Sequence, residues 1–160
     1  MRYYESMLIK EQAKYMVAPR PQSFAGLMEM YEINYMHLRL LLGDLRRLDQ
    51  HIIGTSTNHL PLSVQIKDRS RHTLTLLMTY HFTNEQGEII ETRPDLLVRV
   101  CHDSLQAEVV THKCRFSDER VRYWWRKPDS MLLCRWRMNR FLFKWLGYLR
   151  RHEYSFCTDK

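Results

Sequence analysis

Along this chain the spacing of apolar residues changes twice. Between Ser23 and Gly43 they recur as Leu27, Tyr31, Leu38, Leu41 and Leu42, with Asn34 as one polar interruption, close to the 3.6-residue helical period. Ser23 can cap the first turn and Gly43 can stop the last, so a helix over about 23 to 43 is predicted. The stretch "DLRRLDQH" extends that period by up to two turns. From Pro61 to about Val110 the period becomes two. Leu62, Val64 and Ile66 alternate with polar residues, "KDRSRH" reads as a turn, and "TLTLLMTYHF" reads as a strand apolar enough to lie centrally. Gln86 and Gly87 mark another turn, and Ile89 with Ile90 a short strand before Pro94. Leu96 to Cys101 and Leu105 to His112 make a further antiparallel pair. After Pro128 the helical period returns, with Asp129 or Ser130 as cap and an end near Arg151. Met138, Phe141, Leu142, Trp145, Leu146 and Leu149 fall on its inward side. Helix, strands, helix predicts an α+β domain: an antiparallel sheet of about 4 to 5 strands with both helices packed on one face.

At 160 residues the chain fits one domain, expected over 23–155. Residues 1–22 read as a tail because Pro19 and Pro21 withhold backbone donors, and 156–160 read as a second short tail. No apolar run approaches the roughly 20 residues that span a bilayer, and the first residues interleave charge with every short apolar stretch. A cytoplasmic protein without a membrane span is therefore expected. Cys101, Cys114, Cys134 and Cys157 are spaced by 13, 20 and 23 residues, with no CxxC pair, which suits reduced core thiols better than a metal site or disulfide framework. No cofactor is expected.

The stretch "VCHDSL" places His102 and Asp103 between two strands. With Asp103 and Ser104 at the corner, facing residues have numbers that sum to 207. Val98 then meets Val109, Arg99 meets Glu108 and Val100 meets Ala107, which leaves one apolar and one charged face. Asp103 at a corner is ordinary turn chemistry. Catalysis by His102 and Asp103 requires more than adjacency, because successive strand residues point to opposite faces. A metal half-site requires partners from His72, His81 or His112.

Lys and Arg outnumber Asp and Glu by 25 to 18, a net charge of +7 that attracts polyanions. The last third concentrates it. Arg137, Arg140, Lys144 and Arg151 fall within about a 60° arc of the final helix, with Tyr148 beside them and the apolar side opposite. Four cations on one arc repel one another unless an anion answers them, so this arc is the candidate anion-binding face. Trp136 and Phe143 fall outside the core arc and flank the stripe, where aromatics suit base stacking or, as the preferred reading, a partner or dimer interface. Tyr123, Trp124 and Trp125 read as a final edge strand.

The segments "FAGLMEMYEINYMHLRLLL", "VRVCHDSLQAEVV" and "NRFLFKWLGYL" resemble, in this order, the YqiB-like family of small bacterial proteins, a domain of unknown function. The resemblance covers about residues 23 to 152. It marks Glu32 and Asn34, Arg99, His102, Asp103 and Glu108, and Asn139, Phe141, Leu142, Trp145 and Leu146. It implies a bacterial, cytoplasmic setting and an α/β sandwich, and no mechanism. The longer amino-terminal segment and more basic last third depart from the family pattern. Asn34 is expected as a satisfied core amide, hydrogen-bonded to backbone or to Asn139.

The leading expectation is a non-enzymatic binding or regulatory protein whose basic carboxy-terminal face meets an anionic partner, nucleic acid first. The alternatives are an adaptor or homodimer using Trp136 and Phe143, and a small hydrolase or metal-dependent enzyme around His102 and Asp103.

Overall fold

A computed structural model describes residues 23–110 and 128–156, with side chains from residue 132 in the final helix. Helix α1 spans Phe24–Leu42. Ser23 accepts from the Gly26 N–H, and Gly43, in the left-handed region at φ 80°, returns its N–H to the Arg39 carbonyl. The two residues that bracket the helical period in the sequence thus end the helix. It does not continue through "DLRRLDQH". Asp44 instead caps a short 3-10 turn, Leu45–Arg47, that turns Leu45 and Leu48 into the core.

The strands are β1 (His51–Thr55), β2 (Leu62–Arg69), β3 (Thr73–Thr83), β4 (Ile89–Cys101) and β5 (Gln106–Val109). Helix α2 (Pro128–Arg151) and the two-residue strand β6 (Ser155–Phe156) follow the undescribed segment. The result is an α+β fold with a six-stranded antiparallel sheet in the order β5-β4-β3-β2-β1-β6. The expected four to five strands are joined by β1 and β6. Both are short, and β1 contains Gly54, which reads as a breaker in a strand pattern. Here the glycine is required, because an added Cβ would stand 2.5 Å from the Phe156 ring on the neighbouring strand.

The β4–β5 register is the one in which numbers sum to 207: Val98 faces Val109, Arg99 faces Glu108 and Val100 faces Ala107. Pairing ends at Cys101 with Gln106, so the corner is a four-residue loop, with Leu105 at φ 54°, rather than a two-residue one. The expected short strand at Ile89 and Ile90 is instead the start of β4, which runs past Pro94. Met78 faces Leu96 and Tyr80 faces Arg93, so Pro94 and Asp95 oppose Thr79 alone; this bulge removes the need for the N–H that proline lacks.

One sheet face carries Val64, Met78 and Leu96 in one row, and Ile66, Leu76, Val98 and Val109 in the next, all buried. Against it pack Tyr35 and Leu38 of α1 and Leu142, Trp145, Leu146 and Leu149 of α2, forming the main core. Phe141, expected inward with that set, is 46% exposed. Its place at the margin of the apolar arc leaves it resting on the edge of Trp145, ring centres 5.9 Å apart. Leu27, Met30, Tyr31 and Trp136 make a second core between the two helices. Cys134 is disulfide-bonded and Cys101 is a free thiol, so the expectation of reduced core thiols fails at Cys134. The expected edge strand at Tyr123 to Trp125 and the strand end at His112 lie outside the described residues.

Candidate functional site: the outer face and foot of the last helix

Arg137, Arg140, Lys144 and Arg151 are all exposed, on the side of α2 away from Leu142, Leu146 and Leu149. Among the described residues Arg140, Lys144 and Arg151 have no carboxylate within ion-pair distance, whereas Arg135 and Arg99 share Glu108 at 3.6 and 3.9 Å. The stripe spans 14 residues, about 21 Å along the helix axis.

The aromatic neighbours of this stripe are not those the helical wheel selects. Trp136, 4% exposed, is a core residue against α1, and Phe143 is half-buried and stacked on His37 at 5.6 Å. The wheel assumes one buried side, but α2 is covered on two, by the sheet and by α1. An interface built on Trp136 is therefore not available at the surface. Phe141 and Tyr148, 46% and 36% exposed, take its place beside the cations. Their positions on the wheel, between the basic arc and Trp145, carry the only sequence signal for this.

His102 and Asp103 do not converge. His102 is buried, and burial, reinforced by the charge of Arg46, holds its imidazole below the ordinary histidine range. Asp103 faces solvent, where its Oδ2 lies 2.7 Å from His72 Nδ1 and its Oδ1 lies 3.9 Å from Arg46 Nη2. With the His102 N–H donating to the His72 carbonyl at 2.9 Å, the loop is pinned to the β2–β3 turn and the 3-10 turn. That is turn chemistry, and both partners of the Asp103 pair are exposed enough that it contributes only about 0 to 1 kcal/mol. Among the described residues no three His, Cys, Asp or Glu side chains are grouped to hold a metal ion.

Asn139, Asn34 and Glu108, also marked by the resemblance, are structural ties. Asn139, fully buried, accepts the Val109 N–H at 2.9 Å and donates to the Arg135 carbonyl at 2.8 Å, linking α2 to β5. Asn34 donates to the Asn139 carbonyl at 3.2 Å, while its Oδ1 has no partner among the described residues. Glu108 lies between Arg99, Arg135 and Tyr31; burial, then the charge of Glu108, raises the Tyr31 hydroxyl above its usual range. Glu32 is exposed.

At the foot of α2 the stripe runs into a cavity of about 480 Å³. Ser56, Thr57 and His59 of the β1–β2 connection form one side, and Arg151, His152 and Glu153 the other. His59 Nδ1 lies 2.6 Å from the Thr57 carbonyl. A carbonyl only accepts, so this nitrogen carries a proton, and in the neutral ring Nε2 is then the acceptor. The rings of Tyr148, His152 and His59 follow one another at 4.2 and 4.3 Å. The helix ends with Glu153 N–H on the Arg150 carbonyl and Tyr154 N–H on the Leu149 carbonyl, and the Ser56 hydroxyl donates to the His152 carbonyl. These bonds are a Schellman cap, with Glu153 at φ 54° in the position that normally takes glycine. Beneath the cavity Trp145 Nε1 donates to the Tyr80 hydroxyl at 2.8 Å and the Tyr154 hydroxyl to the Leu60 carbonyl at 2.7 Å. Burial raises both tyrosines above the ordinary phenol range. Of the cavity residues only Arg151, as a member of the basic stripe, stood out in the sequence, because the others come from two segments far apart in the chain and carry no local pattern.

Among the described residues no helix is long and apolar enough to cross a membrane. No curated protein and no solved structure matches the chain. Residues 37–155, well over half of the chain and the stretch that holds all of α2 and the sheet up to Ser155, match the family described as protein of unknown function (DUF1249), and the protein belongs to that family.

Proposed function

We propose that this is a non-enzymatic binding or regulatory protein that engages an anionic partner, nucleic acid first, through the outer face of α2. The observation that supports the reading is the set of Arg140, Lys144 and Arg151, exposed on one arc with no carboxylate partner among the described residues. Mutually repelling cations at that spacing are relieved by a polyanion, whose bound counterions are released on contact. Exposed Phe141 and Tyr148 beside them supply flat apolar surface on which unpaired bases stack, each worth about 1 to 3 kcal/mol. Single strands therefore suit this face better than duplex. We read the chain within its family as YqiB-like, working in a bacterial cytoplasm, the setting that resemblance implies.

Fluorescence anisotropy with short single-stranded and duplex RNA and DNA, repeated over a salt series, tests the reading. Binding is expected to weaken steeply with salt, with a logarithmic slope of about −0.7 for each single-strand phosphate contacted. The double variant Arg140→Glu, Lys144→Glu is expected to abolish binding while melting like the parent, since both side chains are exposed. Binding that ignores salt, or that survives the double change, refutes it.

A further inference from the structure

The cavity at the foot of α2 holds an unusual mixture. A phosphate alone does not explain it, because Glu153 places a carboxylate next to Arg151 and the end of a helix carries partial negative charge. The carbonyls that carry that charge are largely occupied by the Ser56 hydroxyl and the Schellman bonds. A metal ion does not explain it either, since the side chains are not grouped as ligands. What the walls offer is one guanidinium for an anion, two acceptors in the Glu153 carboxylate and His59 Nε2, and hydroxyls on Ser56 and Thr57. The ring series of Tyr148, His152 and His59 stands beside them.

We infer that this cavity seats the terminal ribonucleotide of a single strand, with Arg151 on its phosphate, Glu153 and His59 accepting from the 2′- and 3′-hydroxyls, and the base against the Tyr148 edge of the ring series. The chemistry matches group by group: a cis-diol has two donors for two acceptors, and the phosphate answers the guanidinium. The volume, about 480 Å³, lies in the range of small-ligand sites. Glu153 itself points the same way. A residue other than glycine at φ 54° carries backbone strain, which persists where the side chain is wanted for something else. The inference rests on the proposed function, because the strand reaches the cavity along Lys144 and Arg151.

The experiment compares three eight-nucleotide single strands of one sequence: RNA ending in a free 2′,3′-diol, the same RNA with a 2′-deoxy terminal residue, and DNA. Parent protein is run beside Glu153→Gly and Glu153→Gln. Glycine relieves the left-handed strain, so Glu153→Gly is expected to melt at or above the parent temperature, and any loss of binding is then not unfolding. The parent is expected to prefer the diol-ended strand by about tenfold, the worth of one or two hydrogen bonds, and both variants to lose that preference while still binding every strand with salt dependence. Equal binding of all three strands by parent and variants overturns the cavity site and leaves the helix face standing. If no strand binds at low salt the helix face is refuted, and titration of the full chain with adenosine monophosphate decides the cavity alone. Movement of the His59 and His152 ring resonances, absent in Glu153→Gly, then supports a free mononucleotide as occupant; unmoved resonances overturn the site altogether.

Discussion

His37 ties the stability of the helix pair to pH. It sits on the buried side of α1, stacked on Phe143 of α2 at an interplanar angle of 23°, and its Nδ1 has no hydrogen-bond partner among the described residues. Burial first, then the nearby charge of Arg150, lowers its pKa from 6.5 to about 4. In the unfolded chain the ring takes its proton near 6.5, so the unfolded state binds more protons across the interval and folding loses free energy as pH falls through it. The fall from 6.5 to about 4 corresponds to about 3 kcal/mol of stability, present in full above pH 6.5 and gone below about pH 4. Urea unfolding at fixed pH between 3.5 and 8 measures it, with His37→Leu as the partner protein because leucine fills similar space and does not titrate. The stability of the parent minus that of the variant is expected to be flat above pH 7 and to fall by about 3 kcal/mol toward pH 4. Contributions from groups other than His37 are common to both proteins and cancel in the difference. Parallel curves, or a His37 ring resonance that titrates near 6.5, refute the reasoning.

Two further substitutions probe the packing. Trp136→Ala is expected to cost about 3 to 5 kcal/mol in chemical denaturation and to leave the mass by light scattering unchanged, because the indole fills the core between the helices rather than an outer surface. A change of mass without loss of stability overturns that assignment. Asn139→Ala is expected to cost about 2 to 3 kcal/mol, since it leaves the buried Val109 N–H without its acceptor, whereas Asn34→Ala should cost less because it also removes an unpartnered buried oxygen. Equal losses in the two variants contradict this account of the amide pair.

Much of the architecture was legible wherever the signal is local. The ends of α1 follow from Ser23 and Gly43, and the β4–β5 register follows from alternation around one corner, because a slip by one residue would turn Val98, Val100, Ala107 and Val109 to the wrong face. The basic stripe is likewise a property of one helix. Illegible were features that depend on a second partner. Trp136 reads as outward until α1 is laid against that side of α2, and Phe141 reads as inward although the apolar arc stops at Trp145. "HIIGT" reads as no strand until Phe156 explains its glycine. The cavity was the least legible, since Ser56 and His59 meet Arg151 and Glu153 only through the pairing of β1 with β6.

That pairing also orders events in time. Gly54 and Phe156 are 102 positions apart (156 − 54), whereas β1 to β5 form a meander in which each strand meets the next across a short connection. Closing so long a loop for two residues of ladder is entropically slow to be rewarded, so β6 is expected to dock after the meander and α2 are in place and to open before them. Because the cavity is built across this seam, the capacity to hold a ligand arrives with the last tertiary step, and anything bound there holds the seam shut by mass action.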